Sequence, residues 1–331
     1  MRFWRGLTGA IGLALALPAA SAPGPYQPPR HTVPPPPLLL EGSPLDVLFR
    51  ADAGTQIERN RSPAAELDEH RKLDKALKAL QPQRPGTVDA YVLSIALDSD
   101  AVFGREARGA GAVLSRRYGA AGRMLVLAGS DGSGPSGLPR GTPGTLAIVL
   151  ARLAELMDPK EDALILYTTS HGGAFGLFYH DADNGYGAVS PNRLGNVLDN
   201  LGIFNRMLIF SACYSGIFLP RLQAGSSVIV TAAAADRTSF GCAAENDWTF
   251  FGDALVNRAL RKPQPLGAAF AEAQTLISSW EAQSGVTPSL PQLSIGAAAA
   301  RWLDPLERRV PKTPTQPVGR PAFAGVPSLH R

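Results

Sequence analysis

The sequence has little net charge, few cysteines and only one long apolar run, and each shortage narrows the possible classes of function. Its formal net charge is +4, or about +2 without Arg2 and Arg5, and its basic residues are scattered, which argues against a nucleic-acid partner. No segment beyond the N-terminal run could span a membrane. The two cysteines, Cys213 and Cys242, would permit one disulfide in an exported protein.

Residues 1–22 are predicted to be a cleavable signal peptide. Arg2 and Arg5 precede the apolar run Leu7–Leu17, and Ala20-Ser21-Ala22 supplies an A-x-A cleavage pattern. The alternative is an uncleaved membrane anchor, but the run is shorter than the roughly 20 residues that span a bilayer. We therefore expect a periplasmic or secreted protein with no stable membrane insertion after cleavage.

Composition divides the rest of the chain into four parts. Residues 23–44 are proline-rich and are expected to form an extended, poorly ordered linker. Residues 45–86 form an N-terminal helical extension, in which Ser62-Pro63 is typical of a helix start. Residues 87–300 form the main domain, and residues 301–331, rich in proline and basic residues, are expected to be a disordered tail.

Within the main domain, short apolar runs alternate with helical patterns. The strands are predicted at Tyr91–Leu97, Met124–Ala128, Ala163–Thr169, Arg206–Ser211, Ser227–Thr231 and Gln292–Gly296. The helices between and after them are predicted at Gly104–Tyr118, Thr145–Met157, Pro191–Leu201, Trp248–Leu260 and Leu266–Ala282. Alternation of this kind joins parallel strands through crossover helices. The sequence thus predicts an α/β fold, a three-layer αβα sandwich with a mostly parallel central sheet.

Two of these strands end in residues suited to chemistry. His171-Gly172-Gly173 follows the predicted strand Ala163–Thr169, and Cys213 follows the next predicted strand, Arg206–Ser211. Neighbouring strands lie about 4.8 Å apart, so the imidazole and the thiol would meet at one rim of the sheet. A nearby base converts a thiol into a thiolate nucleophile. The alternative is a small core cysteine and a hydrogen-bonded turn histidine.

The other histidines do not point to a metal or cofactor site. His31 and His330 lie in the terminal segments, and His70 lies on the charged face of a predicted helix. His180 belongs to "YHDADNGYG", which resembles a calcium loop only loosely, since it lacks an acid at the fifth position and has Asn192 in place of the closing glutamate. We interpret that segment as a surface turn and expect no metal and no cofactor.

Four segments, "TTSHGG", "IFSACYSGIF", "TAAAADRTSFGC" and "TFFGDAL", resemble the legumain-like (asparaginyl endopeptidase) cysteine peptidases, especially their exported bacterial members. The resemblance implies the caspase–haemoglobinase fold and a dyad in which Cys213 is the nucleophile and His171 the base. It also implies an oxyanion hole formed by the backbone N–H groups of Gly172 and Cys213. The implied reaction on a protein or peptide substrate is peptide hydrolysis through a thioester acyl-enzyme.

The same resemblance implies a substrate pocket. Arg105, Ser239 and Asp253 match pocket positions of the family, and Ser211 stands beside the nucleophile, where some members have a glutamate. Mixed polar residues of this kind would suit a neutral amide side chain or another small polar side chain.

Two further positions depart from the family pattern. Glu106 occupies the position of a histidine that follows the pocket arginine, and Phe103 occupies the position of the asparagine that orients the catalytic histidine.

Other functions remain open at the level of sequence. A non-catalytic peptide-binding module would keep the fold and its crevice, and a transpeptidase or transamidase would use the same dyad. A serine hydrolase is disfavoured, because no G-x-S-x-G elbow joins a strand to a helix. A Cys213–Cys242 disulfide would block the nucleophile, but the resemblance places Cys242 in a loop near the pocket. The oligomeric state is not predicted.

Overall fold

A computed structural model describes residues 26–37 and 41–325. The predicted signal peptide, residues 1–22, lies outside the described residues, as do parts of the predicted linker and tail. The helices are α1 (Pro44–Ala53), α2 (Pro63–Lys78), α3 (Ala101–Tyr118), α4 (Pro143–Leu156), α5 (Pro191–Asn200), α6 (Leu219–Leu222), α7 (Leu266–Ser284) and α8 (Ala300–Arg308). A π-helical segment spans Gly252–Arg258.

The strands are β1 (Gln56–Glu58), β2 (Ala90–Ala96), β3 (Met124–Leu127), β4 (Ala163–Thr169), β5 (Gly172–Gly173), β6 (Gly176–Asp181), β7 (Gly185–Val189), β8 (Arg206–Ser211), β9 (Ser227–Thr231) and β10 (Gln292–Ile295). Within the described ranges, no helix is both long enough and apolar enough to cross a membrane.

Six strands form the central sheet in the order β10-β9-β8-β4-β2-β3. Five of them are parallel, and β10 pairs antiparallel with β9 at one edge. Parallel strands need crossover connections, and helices supply them on both faces of the sheet. The predicted α/β sandwich with a mostly parallel sheet is confirmed.

The sheet is buried on both faces because alternate side chains enter different cores. In β4, Ile165 and Tyr167 pack in one hydrophobic cluster, which includes residues of α3 and α7. Leu164 and Leu166 pack in the other cluster, with residues of α4 and α5. Each fully buried aliphatic side chain contributes about 1.5–3 kcal/mol relative to exposure to solvent, so the two cores fix the strands that hold the site.

A second, antiparallel sheet has the order β1-β7-β6-β5 and covers one end of the domain. Strand β1 of the N-terminal extension pairs with β7, so the extension belongs to this sheet. The prediction that His180 lies in a surface turn is wrong: His180 lies in β6, opposite Tyr186 of β7. The alternation of glycines with aromatic residues in this hairpin concealed its strand character.

The expectation of a disordered tail is wrong for residues 301–325, while residues 326–331 lie outside the described residues. Trp302, Leu303 and Leu306 form an apolar face of α8 that is buried in the core. Further along, Ala322 N donates a 3.0 Å hydrogen bond to Asp253 Oδ2, and the ring of Phe323 packs against the core. The proline-rich composition hid this helical spacing of apolar residues.

The part of the predicted linker that the structure describes also packs against the domain. Almost all of residues 26–37 have no regular secondary structure, but the segment is held at definite points. Thr32 N donates a 2.9 Å hydrogen bond to Asp183 Oδ1, and Tyr26 is hydrogen-bonded to Ser130. The expectation of poor order is therefore corrected for residues 26–37, since side-chain contacts fix this segment along the rim of the sheet.

Candidate active site

The register of β4 and β8 brings His171 and Cys213 to the same edge of the sheet. Thr169 at the end of β4 is the partner of Ser211 at the end of β8. His171 and Cys213 each lie two residues beyond this matched pair. Both chemically reactive side chains thus leave neighbouring parallel strands at equal height, on the carboxyl edge where sites form in open α/β sheets.

Gly172 lies against the backbone of Cys213. A Cβ atom at position 172 would collide with the carbonyl oxygen of Cys213, so the close approach requires glycine. Phe178 N donates a 2.9 Å hydrogen bond to His171 O. Because antiparallel pairs alternate, the next pair, Gly172 and Leu177, is not hydrogen-bonded, which turns Gly172 N–H away from β6.

His171 is held by a carboxylate and an aromatic ring. Its Nε2 lies 3.5 Å from Asp100 Oδ2, and the ring of Phe103 meets the imidazole edge-on, at 5.0 Å between centroids. The hydrogen bond to Asp100, followed by contact with Cys242 and the charge of Asp98, raises the pKa of His171 to about 10. The imidazole is therefore positively charged at neutral pH. Asp100, rather than the residue at position 103, supplies the polar partner of this histidine.

Asp98 and Asp100 are functional candidates that sequence reasoning missed. The partner of Thr169 on its other side is Ala96 of β2, so Asp98 stands in the same row as His171. The Asp98 side chain is fully buried, which raises its pKa to about 6. The sequence did contain a signal for them: both acids closely follow the buried strand β2, just as His171 follows β4.

Cys213 faces the loop that follows β9. Ser239 N donates a 3.3 Å hydrogen bond to Cys213 Sγ, which also lies 3.6 Å from Ser239 Oγ. Tyr214, the next residue, has a φ of 58°, unusual for a bulky side chain, and its N–H donates a 2.7 Å hydrogen bond to Arg237 O. Ser239 is thus the predicted pocket residue that lies beside the thiol.

No hydrogen bond joins Cys213 Sγ to His171 in the described part of the chain, since the thiol contacts Ser239 and the imidazole is held by Asp100. Both cysteines are free thiols in this structure.

Arg105 is tied to the loop that carries Cys242. Its guanidinium donates to the carbonyl oxygens of Ala244 and Asn246 and forms a 3.0 Å ion pair with Asp247. Each of its nitrogens is engaged by protein groups. Arg105 therefore positions this loop in the structure and does not point a free guanidinium at a substrate.

The structure corrects the prediction of a pocket role for Ser211 and Asp253. The Ser211 side chain is buried and donates a 2.7 Å hydrogen bond to Glu106 Oε1. Asp253 is fully buried and accepts hydrogen bonds from Asn257 and Arg258 and from the backbone of the C-terminal segment. Both residues lie inside the domain because their partners come from distant segments, which the sequence alone did not indicate.

A histidine of the N-terminal segment approaches the same row of residues. His31 Nε2 lies 3.5 Å from Asp98 Oδ1, and His31 Nδ1 lies 3.7 Å from Asp100 Oδ1. Its ring stacks on His180 with 3.5 Å between centroids. Burial, followed by the charge of His31, lowers the pKa of His180 to about 4.

Comparison with known proteins agrees with this geometry. Residues 145–301 match the model of the Peptidase C13 family. The match covers a little less than half of the chain and includes His171, Gly172, Cys213 and Ser239. It supports a cysteine peptidase, for which the substrate is a protein or peptide.

Among solved structures, the chain is similar to caspase-1 from Spodoptera frugiperda, with 14% identity, a TM-score of 0.42 and coverage of 66% of this chain and 88% of that chain. It is also similar to the structure of pro-Sf-caspase-1, with 14% identity, a TM-score of 0.39 and coverage of 64% and 88%. No curated protein matches the sequence.

Proposed function

We propose that the protein is an exported cysteine endopeptidase of the legumain-like type, with Cys213 as nucleophile and His171 as its acid–base partner. The observation that carries this proposal is the register of Thr169 with Ser211, which sets the imidazole and the thiol at equal height on neighbouring strands. The Peptidase C13 match over 145–301 supports the same chemistry. The leader predicted over residues 1–22 is the basis for export.

The reaction follows from the charges at the rim. His171 is positively charged and lies at the same rim as Cys213, so it is the group that can exchange a proton with the reacting atoms. The sulfur attacks the peptide carbonyl, and the oxyanion is stabilised by the N–H groups of Gly172 and Cys213. His171 then donates its proton to the leaving amine, which gives a thioester acyl-enzyme. Neutral His171 then takes a proton from water, and the resulting hydroxide attacks the thioester, which releases the carboxylic acid and restores the thiolate beside a protonated His171.

Productive chemistry requires the thiol to leave Ser239 and approach His171. The loop that carries Ser239 and Cys242 is fastened by Arg105, so substrate binding at this loop is the step that would reorient the thiol. Apo sites with long catalytic contacts are common, and these contacts tighten when the substrate binds.

Digestion of a peptide library tests the proposal. The protein is incubated under reducing conditions, and the products are identified by mass spectrometry. We expect cleavage after a restricted set of residues, loss of cleavage in Cys213→Ala, and retention of cleavage in the control Cys242→Ser, which keeps a hydrogen-bonding side chain beside His171. Equal cleavage by the parent and Cys213→Ala, or dependence on Cys242 alone, would contradict the proposed nucleophile.

A non-catalytic peptide-binding module is the second candidate, favoured by the contact of Cys213 Sγ with Ser239 instead of His171. Retention of library peptides without cleavage by the parent would support this module.

A peptide amine added to the digest distinguishes hydrolysis from transamidation, because an acyl-enzyme that prefers amines gives ligated products in place of free acids.

A further inference from the structure

Beyond the proposed peptidase activity, we propose that His31, Asp98 and His180 form a binding site for a divalent transition-metal ion such as Zn²⁺. One ligand atom of each residue lies within 4.8 Å of the others. The site lies at the rim of the central sheet and joins the N-terminal segment (residues 26–37) to the main domain.

Asp98 provides the observation that points to a ligand. Its side chain is fully buried, and its Oδ2 has no hydrogen-bond partner among the described residues, while Oδ1 accepts a 2.9 Å hydrogen bond from Asp100 N. A buried carboxylate oxygen without a donor is costly. A cation at this point would satisfy it. His180 Nε2 is a second buried atom without a partner in the part of the chain that the structure describes.

The backbone holds two of the three ligands in place. His180 N donates a 3.0 Å hydrogen bond to Leu97 O, and Ser99 N donates a 2.9 Å hydrogen bond to His180 O. These bonds dock β6 beside the end of β2 and fix His180 next to Asp98. The third ligand, His31, comes from the N-terminal segment, and its Nε2 now lies 3.1 Å from Ser99 Oγ. That contact opens when His31 binds the metal.

The donor set selects the class of metal. Two imidazoles and one carboxylate suit Zn²⁺ and related transition ions, whereas Ca²⁺ and Mg²⁺ prefer oxygen ligands. Asp100 lies 3.7 Å from His31 Nδ1 and can orient that ring as the outer carboxylate partner of a metal-bound histidine. Its negative charge and that of Asp98 together balance a divalent cation.

The site is connected to the candidate catalytic histidine. Asp100 lies 3.7 Å from His31 through one oxygen and 3.5 Å from His171 through the other. Metal binding at His31 would therefore hold the N-terminal segment against Asp100, the residue that also contacts His171.

Titration of the full chain with Co²⁺ tests the site. Every protein in this titration carries Cys213→Ala, which prevents self-cleavage. We expect one bound equivalent with the visible absorption of Co²⁺ in nitrogen and oxygen coordination. His31→Ala and His180→Ala should each weaken binding by at least about tenfold, while His70→Ala, an exposed histidine on α2, should leave it unchanged. Unchanged affinity in both ligand variants would overturn the proposal. A thiolate charge-transfer band lost in Cys242→Ala would also overturn it, since the metal would then sit at Cys242.

Limited trypsin digestion gives a readout independent of absorption. Arg30 is exposed and directly precedes His31. In Cys213→Ala, Zn²⁺ should slow cleavage after Arg30, and in Cys213→Ala/His31→Ala it should have no effect. Because His31 lies outside the folded core, this comparison remains decisive if His180→Ala impairs folding. Equal protection with and without His31 would refute the metal-dependent attachment.

Discussion

Ser211 Oγ donates a 2.7 Å hydrogen bond to Glu106 Oε1 in the interior of the domain. These are two positions at which the sequence departs from the legumain-like pattern: Glu106 replaces a histidine, and Ser211 replaces a glutamate found in some members. We interpret these two differences from the pattern that the sequence resembles as a compensated pair, because their side chains are hydrogen-bonded to each other. Glu106 also accepts hydrogen bonds from the hydroxyls of Tyr167 and Thr169 and from the backbone N–H of Thr249, so it is a shared acceptor inside the domain.

We expect Glu106→Gln to lower the free energy of unfolding by about 1–3 kcal/mol, because glutamine offers one acceptor oxygen where the carboxylate offers two, so Thr249 N or the cluster of hydroxyls loses its acceptor. The control is Glu155→Gln, whose side chain is exposed and forms a surface ion pair with Arg152; this change should alter the free energy of unfolding by less than about 0.5 kcal/mol. Urea denaturation of both variants provides the comparison. An equal effect in the two variants would contradict the role of Glu106 as the central acceptor.

A double-mutant cycle tests the compensated change itself. Ser211→Glu should destabilise the domain strongly, since it brings a second carboxylate beside Glu106 in a buried site. Combining it with Glu106→His should recover part of this loss, with a coupling energy of about 1 kcal/mol or more. The free energies of unfolding of the two single variants and the double variant give the coupling. Additive effects would mean that the two positions vary independently.

Gly172→Ala tests the close approach of this glycine to Cys213. The added Cβ must push the two backbones apart, which displaces one proposed oxyanion donor, and kcat/KM should fall by about 100-fold. The matched control is Gly267→Ala on α7, where no atom lies near the added Cβ and stability should rise by up to about 1 kcal/mol. Full activity in Gly172→Ala would remove Gly172 from the proposed oxyanion hole.

The pKa of His171 should depend on Asp100. Because the pKa of His171 is raised in the folded protein, the charged imidazole stabilises the fold. This stabilisation is fully present below pH 6.5, the pKa of histidine in the unfolded chain, and is lost as the pH rises through about 10. In Asp100→Asn the pKa should fall by about one unit or more. Titration of the imidazole protons by NMR, in Cys213→Ala with chelator present, measures the shift. The same pKa in both proteins would show that Asp100 does not hold the charge.

The C-terminal segment should contribute to stability through Asp253. Asp253→Asn weakens the buried acceptor of Ala322 N and Arg258. We expect the free energy of unfolding to fall by about 1–3 kcal/mol. Asp236→Asn, at a side chain that is 77% exposed, serves as the control and should be nearly neutral. Thermal unfolding of both variants tests this difference. No loss in Asp253→Asn would mean that the segment packs without depending on this carboxylate.

Local sequence pattern was sufficient for the central sheet and for the expectation that His171 and Cys213 lie at one edge of it. The strands Ala163–Thr169, Arg206–Ser211 and Ser227–Thr231 have the predicted bounds, because continuous apolar runs flanked by polar residues define buried parallel strands. The positions of His171 and Cys213 follow from those bounds, since strand register carries them to one edge.

The rest of the site depends on contacts between distant segments, which periodicity does not encode. Asp100 contacts His171, which lies 71 positions later in the sequence. The Arg105 guanidinium is hydrogen-bonded to the loop at Asn246. His31 lies in a proline-rich stretch whose composition suggests no site, yet it packs on His180. The role of each residue is set by which segment the fold places beside it.

The pairing of β1 with β7 determines what a cut in the N-terminal extension would do. Residues 59–62 connect β1 to α2 at the surface. After a cut there, β1 on the N-terminal side would stay paired with β7, in the sheet that contains Gly172. On the same side, Asn192 of α5 donates a 2.9 Å hydrogen bond to Asp52 of α1. Cleavage at this connection would therefore yield two polypeptides on a denaturing gel and a single particle in size-exclusion chromatography.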